Sequence, residues 1–115
     1  MIPVMATLAE ALTLLEETGE RHWEAELYRL HGELLLTRED EAEAELSMQK
    51  AIEVARRQSA KSWELRATTN LCRLWKKQGK REEARLTLAQ IYNWFTEGFD
   101  TTDLKEAKAL LEELA

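Results

Sequence analysis

Apolar residues recur along this chain at intervals of three and four. Leu8, Ala11, Leu12 and Leu15 form one series, Leu27, Leu30 and Leu34 a second, and Leu104, Ala107, Leu111 and Leu114 a third. Each series draws one stripe along a helix, because side chains three and four apart share a face. Two-residue alternation, the mark of a half-buried strand, is nowhere sustained. The pattern predicts six helices, over about 4–18, 21–37, 40–58, 61–78, 81–97 and 102–114. Gly19, Gly79 and Gly98 fall just past predicted helix ends, where a left-handed residue closes the last turn. Asp40 and Thr101 or Thr102 stand where a side chain can cap the following helix.

The series also repeats at long range. Displacing the chain by 40 residues lays Trp23-Glu24 on Trp63-Glu64, Gly32 on Cys72, Leu34 on Leu74, Ala44 on Ala84 and Met48 on Leu88. One unit earlier, Ala11-Leu12 falls on Ala51-Ile52 and Arg21 on Lys61. A fixed period of this length marks stacked units, each of which buries its apolar face on its neighbours. Each unit reads as two helices joined by a short turn, near 38–40 in one and 78–80 in the next. The expected organisation of one domain, 1–115, is a half-repeat over 4–18, repeats over 21–58 and 61–98, and a capping helix over 102–114.

Composition supports helices and narrows the function classes. Only 4 Gly and 1 Pro are present, while Leu, Ala, Glu, Lys, Arg and Gln dominate. The apolar run Leu34-Leu35-Leu36 is far too short to span a membrane. Met1-Ile2-Pro3-Val4 carries no basic start of a signal peptide, and 1 Cys cannot form an internal disulfide, so a cytoplasmic location is expected. The net charge of −6 argues against nucleic acid or an anionic membrane as partner. That charge is uneven. Residues 1–20 hold four acids and no base, whereas 59–98 hold eight bases and four acids.

Two stretches resemble tetratricopeptide (TPR) repeats. In 65–98, Leu71 and Cys72 stand at the medium and small positions of the family's first helix, and Trp75 at its aromatic one. Gln78-Gly79-Lys80-Arg81-Glu82-Glu83-Ala84 resembles its turn, and Leu88 its next large position. In 25–58, Tyr28, Gly32, Ala44, Met48 and Ala51 match, while Leu35 replaces an aromatic and Glu39 the turn glycine. Ile91 replaces the last alanine of the second unit, and neither unit has the closing proline. The resemblance implies an all-α solenoid of helical hairpins, about six antiparallel helices with a C-terminal capping helix. The segments 20–36 (ERHWEAELYRLHGELLL), 61–66 (KSWELR) and 92–114 (YNWFTEGFDTTDLKEAKALLEEL) also look like the C-terminal tails of large bacterial signalling ATPases. Many of those carry an N-terminal cyclase or DNA-binding domain. This likeness implies a bacterial sensory or assembly tail, or a stand-alone relative of one, with no phosphate-binding glycine loop of its own.

Residues that could carry chemistry are scattered. His22 and His31 are distant from Cys72, so no soft-metal ligand set is spaced along the chain. Cys72 at the small position reads as core rather than as a nucleophile, and no cofactor is expected. Glu39, Asp40, Glu41, Glu43 and Glu45 read as a solvated turn and helix face rather than paired catalytic carboxylates. Trp23 and Trp63, at the repeat period, read as core. Tyr92, Trp94, Phe95 and Phe99 read as the junction with the last helix, with an aromatic binding patch as the alternative.

Two surfaces emerge for partners. In a stack of hairpins the first helix of each unit lines the concave side. The candidate partner face is then Arg29, Glu33, Arg66, Thr69, Asn70, Arg73, Lys76 and Lys77, suited to a protein or an acidic peptide through arginine–carboxylate pairs. Asn70 matches one position of the carboxylate clamp found in some TPR domains; Arg29 and Glu33 depart from the other two. The second surface is Val4, Met5, Leu8, Leu12 and Leu15, an apolar stripe that a symmetric homodimer would cover. The expectation is a non-catalytic interaction or scaffold module, with a sensor of acidic small molecules or peptides in the concave groove as the alternative.

Overall fold

The computed structural model describes residues 8–19 and 23–115, with the side chains of residues 8, 15 and 18 outside the description. Val4 and Met5, the side chains of Leu8 and Leu15, Arg21 and His22 therefore lie outside the described residues. Among the described residues six helices follow one another: α1 (Leu8–Thr18), α2 (Glu24–Thr37), α3 (Glu41–Arg57), α4 (Lys61–Lys77), α5 (Arg81–Tyr92) and α6 (Thr102–Leu114). No strand occurs among the described residues, and none of their helices is long and apolar enough to cross a membrane. Each helix packs on the next in sequence. Beyond that, α4 lies against both α2 and α6, while α3 and α5 do not touch. The odd helices thus form one side and α2, α4 and α6 the other, with α4 central.

Turns recur at a fixed interval. Gly19, Glu39, Ser59, Gly79 and Gly98 all have positive φ, at separations of 20, 20, 20 and 19 residues. Three of these turns close with the same bond. The amide of the residue after the left-handed one reaches back five: Asp40 to the Leu35 carbonyl at 3.0 Å, Ala60 to Ala55 at 2.8 Å and Lys80 to Trp75 at 2.8 Å. That geometry satisfies a carbonyl which the helix end would otherwise leave without a donor. At Glu39 and Ser59 a side chain occupies the left-handed region, where it costs about 1–2 kcal/mol relative to glycine. Asp40 caps α3 by accepting from the Glu43 amide, and Thr101 caps α6 by accepting from Leu104. Ala60 and Lys80 start α4 and α5 without a side-chain cap.

Small residues set the closest approaches. A Cβ on Gly32 would lie 2.9 Å from Met48 Cγ and 3.2 Å from the Ala44 carbonyl oxygen, so α2 and α3 meet where no side chain fits. Forty residues on, Cys72 is fully buried and its Sγ donates to the Ala84 carbonyl at 3.3 Å. Burial pushes the Cys72 thiol up to about 12. The core runs in three connected groups. Ala25, Val54 and Ala55 lie at one end, and Met48, Ala51, Ile52, Ala67 and Leu71 in the middle. Leu65, Cys72, Ala84 and Leu88 meet Leu104, Ala107, Leu110 and Leu114 of α6 at the other end. Tyr28 joins the first two groups and Trp75 the last two.

Two expectations change. Helix α5 stops at Tyr92 rather than 97. There the Trp94 and Phe95 amides bond to Ile91 and Tyr92, three residues back, which tightens the chain into turns and carries Phe95 onto the α6 core. Trp23 is not core, whereas Trp63 is half-buried and packs on Ala25, Val54 and Ala55. Their rings stack on each other at 5.4 Å at the edge of the molecule, with Trp23 46% exposed.

Candidate interaction surface

The residues singled out on α2 and α4 do come together, and the structure adds what the sequence pattern omitted: their acidic partners. Arg66 is central. Its Nε and Nη2 donate to the two carboxylate oxygens of Asp103 on α6, at 3.2 and 3.0 Å. Its Nη1 donates to Glu26 on α2 at 2.5 Å. One planar guanidinium therefore ties α2, α4 and α6, in the two-pronged geometry that arginine alone provides. The Asp103 contact first, then the nearby negative charge, raises the Arg66 pKa. Arg29 holds the other Glu26 oxygen at 2.8 Å and reaches Glu33 at 2.9 Å. Asn70 donates to Glu33 at 2.9 Å and accepts from Arg73 at 3.3 Å.

The remaining cations of the face are engaged in the same way. Arg73 meets Glu106 at 3.3 Å and Lys76 meets Glu113 at 2.9 Å, both on α6. Lys77 meets Glu41 at the start of α3 at 2.9 Å, and Gln78 donates to the other Glu41 oxygen. These hydrogen bonds hold the Glu41 and Glu113 carboxyls below the usual 4.5 and raise Lys77 above the usual 10.5. Arg81 donates to the Glu113 carbonyl. Thr69 is buried, and its hydroxyl donates to the Leu65 carbonyl of its own helix.

This geometry alters the expectation of an open cationic face. The base excess of 59–98 is neutralised from within, by acids on α2, α3 and α6. An external carboxylate on Arg66, Arg73 or Lys77 would have to displace one already bound, and reversing those residues to Glu would remove ion pairs to α2, α3 and α6. The missed partners leave a signal in the sequence. Arg66 and Asp103, Glu33 and Asn70, Lys76 and Glu113, and Glu41 and Gln78 are each 37 apart, the period less one helical turn.

Glu24 and Glu64, buried and 40 apart, anchor Arg57 at 3.7 Å and Arg56 at 3.0 Å at the end of α3. Among the described residues no group of His, Cys, Asp and Glu is placed to hold a metal ion. A cleft of about 380 Å³ between α3, α4 and α5 has Ile52, Leu71 and Trp75 as its floor, with Arg56 and Arg57 on the rim. Tyr92 packs on the α6 core and meets Phe99 with the rings tilted at 53°, while Trp94 is exposed and lies beneath Lys61 at 5.4 Å.

The two ends of the array differ. Helix α6 buries Leu104, Ala107, Leu110 and Leu114 and turns charge outward. Helix α1 packs on α2 alone among the described helices, with Ala11 buried, Leu12 half-buried and Leu14 exposed. Beside it, Leu30 and Leu34 of α2 are 49% and 45% exposed. Comparison of the chain with family models, curated proteins and solved structures finds no match.

Proposed function

We propose that this chain is a non-catalytic protein-interaction module built as TPR-like stacked hairpins, serving as the sensory or assembly tail of a bacterial signalling ATPase. The observation that carries the stacked-hairpin reading is the recurrence of one contact. Gly32 against Ala44 on α2–α3 is repeated, 40 residues on, by Cys72 against Ala84 on α4–α5. Left-handed turns at 39 and 79 keep the same step. A repeated hairpin of this kind presents an extended surface rather than an enclosed cavity, which suits a macromolecular partner. The unlike ends of the stack support it further, since one is closed by a charged helix and the other exposes leucine. The ATPase connection rests on the sequence likeness of 20–36, 61–66 and 92–114.

The reading is tested in two steps. The coding sequence upstream should contain a nucleotide-binding domain in frame or in an adjacent gene; its absence from both removes the ATPase connection. Site-specific photo-crosslinking along α1 and α2 in source cells should then capture a defined protein. Crosslinks distributed evenly over all six helices, with no enriched partner, would overturn the interaction reading.

A further inference from the structure

Helices α3 and α5 stand side by side without touching, and α4 floors the gap between them. The volume of this cleft, about 380 Å³, lies at the small end of the range in which proteins hold small organic ligands. Its floor is apolar, with Ile52 and Leu71 buried and Trp75 half-buried.

The polar groups around that floor are incompletely used, and the repeat makes this visible at Thr87. Forty residues earlier, Ser47 donates its hydroxyl to the Tyr28 carbonyl of α2 at 2.8 Å. Thr87 stands at the same place on α5, half-buried in the cleft wall, but its hydroxyl makes no corresponding bond to Thr68 of α4. Arg56, at the end of α3, engages Glu64 through Nε at 3.0 Å, and its two terminal nitrogens bond to no described residue. Arg57 beside it approaches Glu24 at 3.7 Å, an ion pair beyond hydrogen-bond reach. Glu53, the acid of the rim, is met by Lys50 at 3.6 Å. Arg56 can therefore donate to a further acceptor and keep the pair it already makes.

We propose that this cleft binds a small apolar carboxylate, its hydrocarbon body on Ile52, Leu71 and Trp75 and its head taking donors from Arg56 and Thr87. A carboxylate matches the planar fork of arginine, and its bonds there are of the stronger, charge-assisted kind. A single negative charge also suits a rim that carries Glu53. Trp75 buries its indole Nε1 without an acceptor, so turning the ring toward the bound head would give that donor a partner. The inference goes beyond the interaction-module reading and does not depend on it: the cleft opens between α3 and α5, on the side away from the face of α2, α4 and α6.

The probes are octanoate, hydrocinnamate and cinnamate, each with its neutral primary amide. Binding is followed by amide and indole N–H chemical shifts of the full chain. The acids should shift the amides of Ile52, Leu71 and Thr87 and the indole of Trp75. The neutral amides should bind about tenfold more weakly. Arg56→Gln should remove most of that preference for the acid. Thr87→Val, which keeps the shape of the wall, should weaken the acids by about threefold. Arg85→Gln, on α5 outside the cleft, should leave binding unchanged. Because Arg56→Gln also takes a partner from Glu64, circular dichroism checks its fold, while Thr87→Val probes the site without touching an ion pair. No binding by any of the acids, or shifts centred elsewhere, overturns the site. Equal binding of acid and amide to the wild-type chain overturns the carboxylate. Acid binding unchanged by both Arg56→Gln and Thr87→Val overturns the assignment of donors. Each of these failures leaves the coding-sequence and crosslinking tests of the broader reading standing.

Discussion

The hairpins α2–α3 and α4–α5 make the same fold with opposite local strengths. In the first, the turn is Glu39-Asp40: the left-handed residue is strained, but the next side chain caps α3. In the second, the turn is Gly79-Lys80: the left-handed residue is glycine, but α5 starts uncapped, with a positive charge at the positive end of its dipole. The close approach is likewise solved twice, by removing the side chain at Gly32 and by fitting a thiol at Cys72. The two hairpins therefore share an architecture whose contacts survive exchange of the residues that make them. What each position demands is volume and backbone conformation, and those demands can be tested by moving residues between units.

The largest effect is expected at the helix crossing. Gly32→Cys places the second unit's residue in the first, where Met48 Cγ and the Ala44 carbonyl leave no room. It should destabilise by about 1–3 kcal/mol in urea unfolding. Adding Met48→Ala should recover part of that loss relative to additivity, because the two positions share one space. A neutral Gly32→Cys would mean that the crossing in the first hairpin is looser than the second.

Next is Arg66, which bonds both α2 and α6. Arg66→Met leaves Glu26, with a side chain only 10% exposed, to Arg29 alone. A loss of about 1–2 kcal/mol is expected, toward the low end because the arginine is 39% exposed. Hydrogen exchange should show α6 opening before α3 in this variant.

The turns should respond in the stabilising direction. Glu39→Gly and Lys80→Asp each give one hairpin the feature the other already has, and each should add about 1 kcal/mol. Together they should be additive, since the turns are independent. If Lys80→Asp alone fails, the α5 start is being held by tertiary packing rather than by its cap.

The smallest effect is the pH dependence of the exposed pair Glu41–Lys77. Glu41 is held below 4.5 by its bond from Lys77, so its contribution is complete above that value and is lost as pH falls through the folded pKa. Lys77 is raised above 10.5, so its contribution is complete below that value and is lost as pH rises through the folded pKa. Melting temperature should be level in between and decline outside, and Glu41→Gln should flatten both limbs slightly.

The helices were legible in the sequence because stripe, turn glycine and cap agree at most boundaries. Asp40, Thr101, Gly19 and Gly79 serve as their spacing suggests, while Gly98 takes the left-handed conformation but lies beyond the end of α5. The end of α5 was not, since Trp94 and Phe95 continue the apolar pattern and only packing on α6 decides that the chain must turn. Trp23 misled for a related reason. It recurs as Trp63, which packs on the core, but an equivalent place at the start of a helix at the rim can recur without being buried. The basic face was visible as an excess in one segment. Its neutralisation was not, because Glu26, Asp103 and Glu113 lie some forty residues away and meet it only when the hairpins stack.

The left-handed residues at 19, 39, 59, 79 and 98 carry a last consequence. They mark the chain's natural seams. An insertion of one or two residues inside a helix would rotate every later side chain off its stripe, whereas a piece of about forty residues joined at a seam would restore both stripe and layer. Such a chain can lengthen by duplication without redesign, and a spliced copy of residues 40–79 placed after Gly79 should yield a longer molecule with the same two sides.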